Sequence, residues 1–379
     1  MFILKFISFF NIFYSYIIRE INIKKILSYY KFCKNYNYKK IKQYKNIKLN
    51  PKISVISPLL NRERYILTFL INIQNQNYKD IEIILVDDCS KDNTVKMIEE
   101  YQKIDQRIIL LKNKKNKGTF LSRNIGIQYS KTKYIIIPDP DDIISKNILY
   151  ACYKFSVKYH YEIIRFNMLF REGFIFKNKY SEELPKKQIN QPELSYNIFY
   201  FKNELIMTDS NICNKFINKK TYIKSLNSLN IFYSNLHLTV MEDQMMNYIL
   251  HKIAKTFYFL KIIGYYYNTN SNSITNNMFK LNKLMNYFIF IYIKLLFDYS
   301  KNTKYEKDMA NYLFSKLFKN IKIEREASKK NLNFYDEIIK MYINNKFISN
   351  ENKNIFKKFK KIIEKEINIP SNNNKYVIS

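Results

Sequence analysis

The chain has 379 residues, is 47% apolar and carries a formal net charge of +32, which allows one large domain, or a domain with an extension, and leaves ample core to bury. So much charge would suit a nucleic-acid partner, but 56 of the 64 basic residues are Lys and eight are Arg, whereas phosphate and base-edge recognition draws on Arg forks. With Gly at 4, Pro at 7 and Trp absent beside abundant Lys, Asn, Ile, Tyr and Phe, the basicity reads as coding bias; a nonspecific pull toward anionic surfaces is what remains of it.

Residues 1–18 are largely apolar. As a helix they would reach about 27 Å, close to the roughly 30 Å of a bilayer core. Lys5, Ser8, Asn11 and Ser15 interrupt the run, and no small-residue cleavage site follows it. The segment reads as a membrane anchor, an interfacial helix or a packing helix. Arg19, Lys24, Lys25, Lys31, Lys34, Lys39 and Lys40 come after it against a single acid, Glu20. If it spans, the domain beyond faces the cytoplasm; otherwise a cytoplasmic protein is expected.

Residues 19–50 read as a basic linker. From Pro51 the pattern sharpens: a strand over 52–57 ended by Pro58, then a helix over 62–75 with Ile66, Phe69, Leu70 and Ile73 at i, i+3, i+4 and i+7. A second strand, 81–86, ends in Asp87 and Asp88, and Ser90 or Asp92 can cap a helix over 92–104. A strand over 107–112, a helix over 119–130 and a strand over 133–137 follow. This alternation predicts βαβ units and an α/β fold with a Rossmann-like, mostly parallel central sheet. Further strands are expected over 162–170, 211–216 and 256–267, and a helix over 242–254. Residues 276–379 read as a helical, lysine-rich extension, with a buried helix at 284–297 and a helix packed on the domain at 355–367.

Four cysteines (Cys33, Cys89, Cys152, Cys213) and three histidines (His160, His237, His251) are scattered without disulfide or zinc-ligand spacing. The four glycines (Gly118, Gly126, Gly173, Gly264) cannot build a G-x-G-x-x-G or Walker loop. Any nucleotide phosphate would have to be met by metal and side chains. Residues 134–142, Tyr-Ile-Ile-Ile-Pro-Asp-Pro-Asp-Asp, offer a place for that: a β-branched run ending in Asp139, Asp141 and Asp142. Three acids so close repel one another unless a cation neutralises them, and Mg2+ or Mn2+ bridges one or two carboxylates to phosphates. The other reading is an acidic turn capping the next helix.

Seven motifs stand in order: KISVISPLLNRERY (52–65), IEIILVDDCSKDNT (81–94), NKGTFLSRNIGI (116–127), YIIIPDPDD (134–142), ICNKFINKKTY (212–222), MEDQMMNYIL (241–250) and YYYNTNSNSIT (265–275). Over 52–275 the chain resembles the family 2 glycosyltransferases, which have the GT-A fold of the nucleotide-diphospho-sugar transferases. The resemblance implies an inverting transferase using a nucleotide sugar, a UDP-sugar in the first instance, with Mg2+ or Mn2+. Asp141 stands at the last position of the family's D-x-D, the direct metal ligand, and Asp139 at its first, near ribose and metal; Pro140 between them stiffens the turn. Asp88 matches the acid that hydrogen-bonds the base. Pro58 and Leu60 match the first-strand turn on the nucleotide, without the aromatic residue the family often carries there, and Glu63 follows in the same turn. Arg123, in the R-N-x-G motif, would face the diphosphate, and Lys117 precedes it on a loop able to approach phosphate. Glu242-Asp243 matches the family's acid pair, with Asp243 the general base and Glu242 the alternative. Asn214 and Lys215 match a structural N-K segment, and His237 is a bystander.

The resemblance thus divides the chain into 1–50, a catalytic domain at 51–275 and the extension at 276–379. It implies a glycan, lipid or protein acceptor and no specific nucleic acid. Without Trp there is no Q-x-x-R-W motif, so a single-sugar transferase is preferred to a processive synthase. The competing readings are a nucleotidyltransferase of related fold, which would want a Gly- and Arg-rich phosphate loop that 58–65 lacks, and a noncatalytic basic binding protein.

Overall fold

The structure, a computed structural model, describes residues 50–172, 175–177, 200–201, 204–205, 211–229 and 242–268. The segments 1–18, 19–49 and 276–379, and the helices expected in them, lie outside the described residues.

Strands β1 (Ile53–Leu59), β2 (Ile81–Asp87), β3 (Ile108–Lys112) and β4 (Tyr134–Ile136) run parallel in the order β3-β2-β1-β4. Every residue of β1 and β2 is buried. A strand covered on both faces is mostly apolar, here with Ser54, Ser57, Glu82 and Asp87 as the buried polar exceptions, which is why these two were plain in the sequence. They are joined through α1 (Ile66–Gln74), α2 (Thr94–Gln102) and α3 (Gly118–Tyr129). Helix α1 buries Ile66, Phe69, Leu70 and Ile73, the four positions whose spacing predicted it. Helix α3 lies close on β1 and β2: a Cβ at Gly126 would meet Ile56 Cγ2 at 2.6 Å and Val86 Cγ2 at 3.0 Å.

Pro58 does not end β1, as the sequence had suggested. Its register runs on through Pro58↔Val86 and Leu59↔Asp87. On the other side, β1 pairs with β4 only as far as Val55↔Ile136. The N–H that proline lacks would have pointed into that open flank, so no ladder bond is lost.

Beyond β4 the sheet becomes mixed. Strand β5 (Ile143–Ile144) and helix α4 (Ile148–Tyr159) lead to β6 (Ile163–Glu172) and β7 (Ile175–Lys177). In a separate unit, β8 (Tyr200–Phe201) pairs antiparallel with β9 (Glu204–Leu205). Then come β10 (Lys215–Asn218), α5 (Lys219–Ser228), α6 (Glu242–Ile253) and β11 (Phe257–Asn268). Among the described residues nine strands form one sheet, in the order β3-β2-β1-β4-β10-β6-β11-β5 with β7 on β6. Strand β10 runs antiparallel to both neighbours, and β5 antiparallel to β11. The strand expected at 211–216 begins instead at Lys215. The unforeseen α5 starts directly after β10, where the Asn218 side chain accepts the Lys220 N–H at 2.9 Å.

Candidate functional site

The chain moves from β1 outward to β2 and β3, then returns to β4 on the opposite flank of β1. Ligands of open α/β sheets bind in the crevice outside the carboxyl ends of the strands at such a reversal. Four segments reach it: the loops after β1 and β2, the turn after β4, and the start of α6.

The first two loops are joined by their own polar groups. Asn61, at φ 53°, gives its N–H to Ser90 Oγ at 2.8 Å and accepts the Lys91 N–H at 2.8 Å. Arg62 N–H donates to Thr94 Oγ1 at 2.7 Å and Glu63 N–H to Asp92 Oδ2 at 3.1 Å. Glu63 Oε2 accepts from Asn93 N–H at 2.8 Å and from Asn93 Nδ2 at 2.9 Å. Asp92, one of the two caps foreseen for α2, accepts the Thr94 N–H at 3.0 Å. Asp88 is buried and clamps the start of α3: Oδ1 accepts from Lys117 N–H and Asn113 Nδ2, and Oδ2 from Gly118 N–H, each at 2.8 Å. A carboxylate at a helix N-terminus is favoured by the orphan amides and the helix dipole together. It has about four lone-pair positions, so these three donors leave room for one more. Lys117 enters this network through its backbone. Pro58 is buried at the strand end, and Leu60 beyond it is 38% exposed.

The acidic strand end is a β-turn, with Asp142 N–H donating to Asp139 O at 3.2 Å. Pro140 holds the second position, where its fixed φ suits the turn. Asp139 and Asp141 are partly exposed, whereas Asp142 is buried. Both Asp142 oxygens accept from β11, Oδ2 from the Tyr265 hydroxyl and Oδ1 from Asn268 N–H, each at 2.7 Å.

Arg123, one turn before Gly126 on α3 and 2% exposed, gathers the remaining acids. Its Nη1 donates to Asp243 Oδ1 at 2.5 Å and stands 3.4 Å from Glu242 Oε1, while Nη2 is 3.9 Å from Asp139 Oδ1. The second Asp243 oxygen accepts Ile212 N–H at 3.1 Å. Asp139, Arg123, Glu242 and Asp243, 120 positions apart in sequence at the extreme, thus meet at one point. The guanidinium expected to face phosphate is turned here to carboxylates.

Burial works against the Arg123 charge, but Asp243, Glu242 and Asp139 outweigh it and hold the guanidinium more firmly protonated than a free one. Burial, then Asp243, lift the Glu242 carboxyl to about 7 against the pull of Arg123. Desolvation lifts Asp139 to about 7 as well; Arg123 and Arg62 oppose it, and Asp243 and Asp141 reinforce it. Burial, then Asp141 and Asp139, push Asp142 well above the carboxylate range, with its two hydrogen bonds opposing. Cys213, 3% exposed, lies among the same acids, and burial raises its thiol well above normal, which keeps it protonated and a poor nucleophile.

Sequence reasoning missed Arg62, whose field reaches Asp139, and Tyr265. Both are brought in by loops and bends, for which Gly264 beside Tyr265 was the one local signal. His237 lies outside the described residues. Among those described, no group of three or more His, Cys, Asp or Glu side chains is arranged to hold a metal ion. Asp139 and Asp141 nevertheless offer hard oxygen donors at a solvent-reached turn, the donor set that Mg2+ and Mn2+ take when water and phosphate complete the shell. Among the described residues no helix is long and apolar enough to cross a membrane.

Comparison with known proteins matches residues 54–219 to the model of the Glycosyl transferase family 2. Glycosyltransferase GlyG of Streptococcus pneumoniae is 36% identical over 102 residues, 27% of this chain and 34% of that protein. The poly(ribitol-phosphate) beta-N-acetylglucosaminyltransferase TarS of Staphylococcus aureus is 25% identical over 222 residues, 58% of this chain and 35% of that one. The chain therefore spans about a third of the length of each of these two curated relatives. Among solved structures, S. aureus TarS 1–349 in complex with UDP-GlcNAc superposes with a TM-score of 0.57 at 18% identity, covering 77% of this chain and 80% of that one. The same portion of TarS in complex with UDP gives 0.56 at 16% identity, over 83% and 88%. At these identities the likeness is one of fold.

Proposed function

From the match of residues 54–219 to the Glycosyl transferase family 2 model, we propose that the chain transfers one sugar from a nucleotide-diphospho-sugar to an acceptor hydroxyl, with inversion and with the help of Mg2+ or Mn2+. One observation carries the reading. Asp139, Arg123, Glu242 and Asp243 converge at the switch point of the sheet, within 2.5 to 3.9 Å of the Arg123 guanidinium. A donor side and an acceptor side are thereby brought face to face.

In this reading Asp141 and Asp139 would hold the cation, which when bound offsets charge growing on the departing diphosphate. Asp243 takes the acceptor proton as the hydroxyl oxygen bonds to the anomeric carbon and the bond to the diphosphate breaks on the opposite face. Arg123, donating to Asp243 Oδ1 at 2.5 Å, keeps that carboxylate aimed. Glu242, lifted to about 7, is the alternative base, although its side chain is 7% exposed against 20% for Asp243. Asp88 retains one acceptor position for an N–H of the nucleotide base, and Pro58 and Leu60 flank that place. Lys117 and Glu63 stand at the rim of the same crevice.

TarS in complex with UDP-GlcNAc makes UDP-sugars the first donors to try, with a glycan, lipid or protein as acceptor. A panel of nucleotide sugars with Mn2+ and Mg2+, read by nucleoside diphosphate release, tests the reading. UDP-sugars should lead and Asp141→Ala should abolish release; release from no donor, or undiminished release by Asp141→Ala, would overturn the enzyme or the metal assignment respectively.

A further inference from the structure

The turn carrying Asp139 and Asp141 is supported by β11. After the turn, β5 pairs with β11 through Ile144↔Tyr265 and Ile143↔Tyr266, and Ser145 N–H donates to Gly264 O at 2.9 Å. Strand β11 is irregular at this place: its register on β6 shifts between Leu260 and Ile263 and again between Ile263 and Tyr265. Irregularities of this kind re-aim side chains beside functional sites. Gly264 sits in the bend, where a Cβ would collide with the Phe166 ring and meet Ile148 Cδ1 at 2.6 Å. The next residue, Tyr265, is fully buried. Its hydroxyl donates to Asp142 Oδ2 at 2.7 Å and accepts Asp139 N–H at 3.0 Å. One side-chain oxygen thus ties both ends of the turn, and Asn268 N–H takes the remaining Asp142 oxygen at 2.7 Å.

Building on the metal reading above, we propose that Tyr265 is a positioning residue for the cation, and that Asp142 is the anchor of the turn and not a cation ligand. Asp142 directs both oxygens to β11. Asp139 and Asp141, whose side chains reach the solvent side of the turn, keep the ligand role. Mg2+ demands near-ideal octahedral geometry at about 2.0–2.1 Å, so a carboxylate on a loosened turn binds it poorly. Groups that orient a ligand from behind alter metal affinity by about 10- to 100-fold. Tyr265→Phe keeps the ring in place and deletes both hydrogen bonds to the turn.

The test is direct Mn2+ binding to the full chain, with and without UDP, followed by loss of the free-ion electron paramagnetic resonance signal. Four proteins are compared: wild type, Tyr265→Phe, Asp142→Asn and Asp141→Ala. Tyr265→Phe and Asp142→Asn should each bind Mn2+ about 10-fold more weakly, and Asp141→Ala should fall below detection. Wild-type affinity in Tyr265→Phe would overturn the positioning role, and Asp142→Asn as inert as Asp141→Ala would make Asp142 a ligand. A wild type that binds no Mn2+ would overturn the metal reading itself, a result distinct from binding that the variants leave unchanged. Should Tyr265→Phe not fold, Asp142→Asn, which keeps side-chain size and an acceptor for Asn268, decides alone.

Discussion

In the parallel half of the sheet, the loops that reach the crevice spend their polar groups on one another: Asn61 on Ser90, Glu63 on Asn93, Asp88 on Lys117 and Gly118. In the half that begins with the turn after β4, acids are packed together in excess, with Asp139, Glu242 and Asp243 converging on the single guanidinium of Arg123. The first region has its polar groups paired within itself. The second holds charge that a substrate, a proton or a cation can rearrange. Chemistry belongs in the second and placement in the first, and α3, which carries Arg123 at its middle and Asp88's amides at its start, joins the two.

That contrast is most severely broken at Arg123. Arg123→Met should leave three carboxylates without their counter-ion, costing about 3–5 kcal/mol of stability and all measurable transfer, checked by urea unfolding and nucleoside diphosphate release. A loss under about 1 kcal/mol would mean that the acids are not held by this contact. Asp243→Asn should leave the fold intact and slow turnover roughly a hundred- to ten-thousandfold. If Glu242→Gln shows the larger drop in kcat instead, the base is Glu242. In the first region, Asp88→Ala should cost about 1–3 kcal/mol through the freed amides of α3, visible as a lower urea midpoint and faster hydrogen exchange at Lys117 and Gly118.

A further effect is on pH. The Glu242 carboxyl is raised in the folded chain, to about 7 from an ordinary 4.5. Between those values the folded state holds a proton that the unfolded state has lost, so stability falls as pH rises from about 4.5 to 7. Glu242→Gln should flatten that slope in denaturation measured across the range, and an unchanged slope would assign it elsewhere.

The parallel half was legible because burial of β1 and β2 on both faces writes itself as short, mostly apolar runs rich in Ile and Val, and α1 announced the four residues it buries. The carboxylates were legible as acids closing such runs. In the other half the strands expected over 162–170 and 256–267 and the helix over 242–254 stand as β6, β11 and α6, but the remaining elements were opaque for physical reasons. Strand β10 pairs with β4 and β6 from distant sequence, β5 has two residues, and α4 and α5 follow directly on short strands without a clear periodic stripe. Arg123's partners could not be read from spacing, since Asp243 lies 120 residues away. The role of Tyr265 depends on a bend in β11, for which only the neighbouring Gly264 gave a sign.

The tight contacts of Gly126 and Gly264 also bear on how this chain tolerates drift. Its composition is rich in Lys, Asn, Ile and Tyr and holds four glycines. At Gly126 the added carbon of any other residue would press on Ile56 and Val86, and at Gly264 on Phe166 and Ile148. Such a residue would displace α3 under Arg123, or the bend of β11 beside Tyr265. Substitution pressure that the lysine-rich surface absorbs without consequence meets a steric wall at these two positions. In a chain so poor in glycine, Gly126 and Gly264 mark places where its geometry is not negotiable.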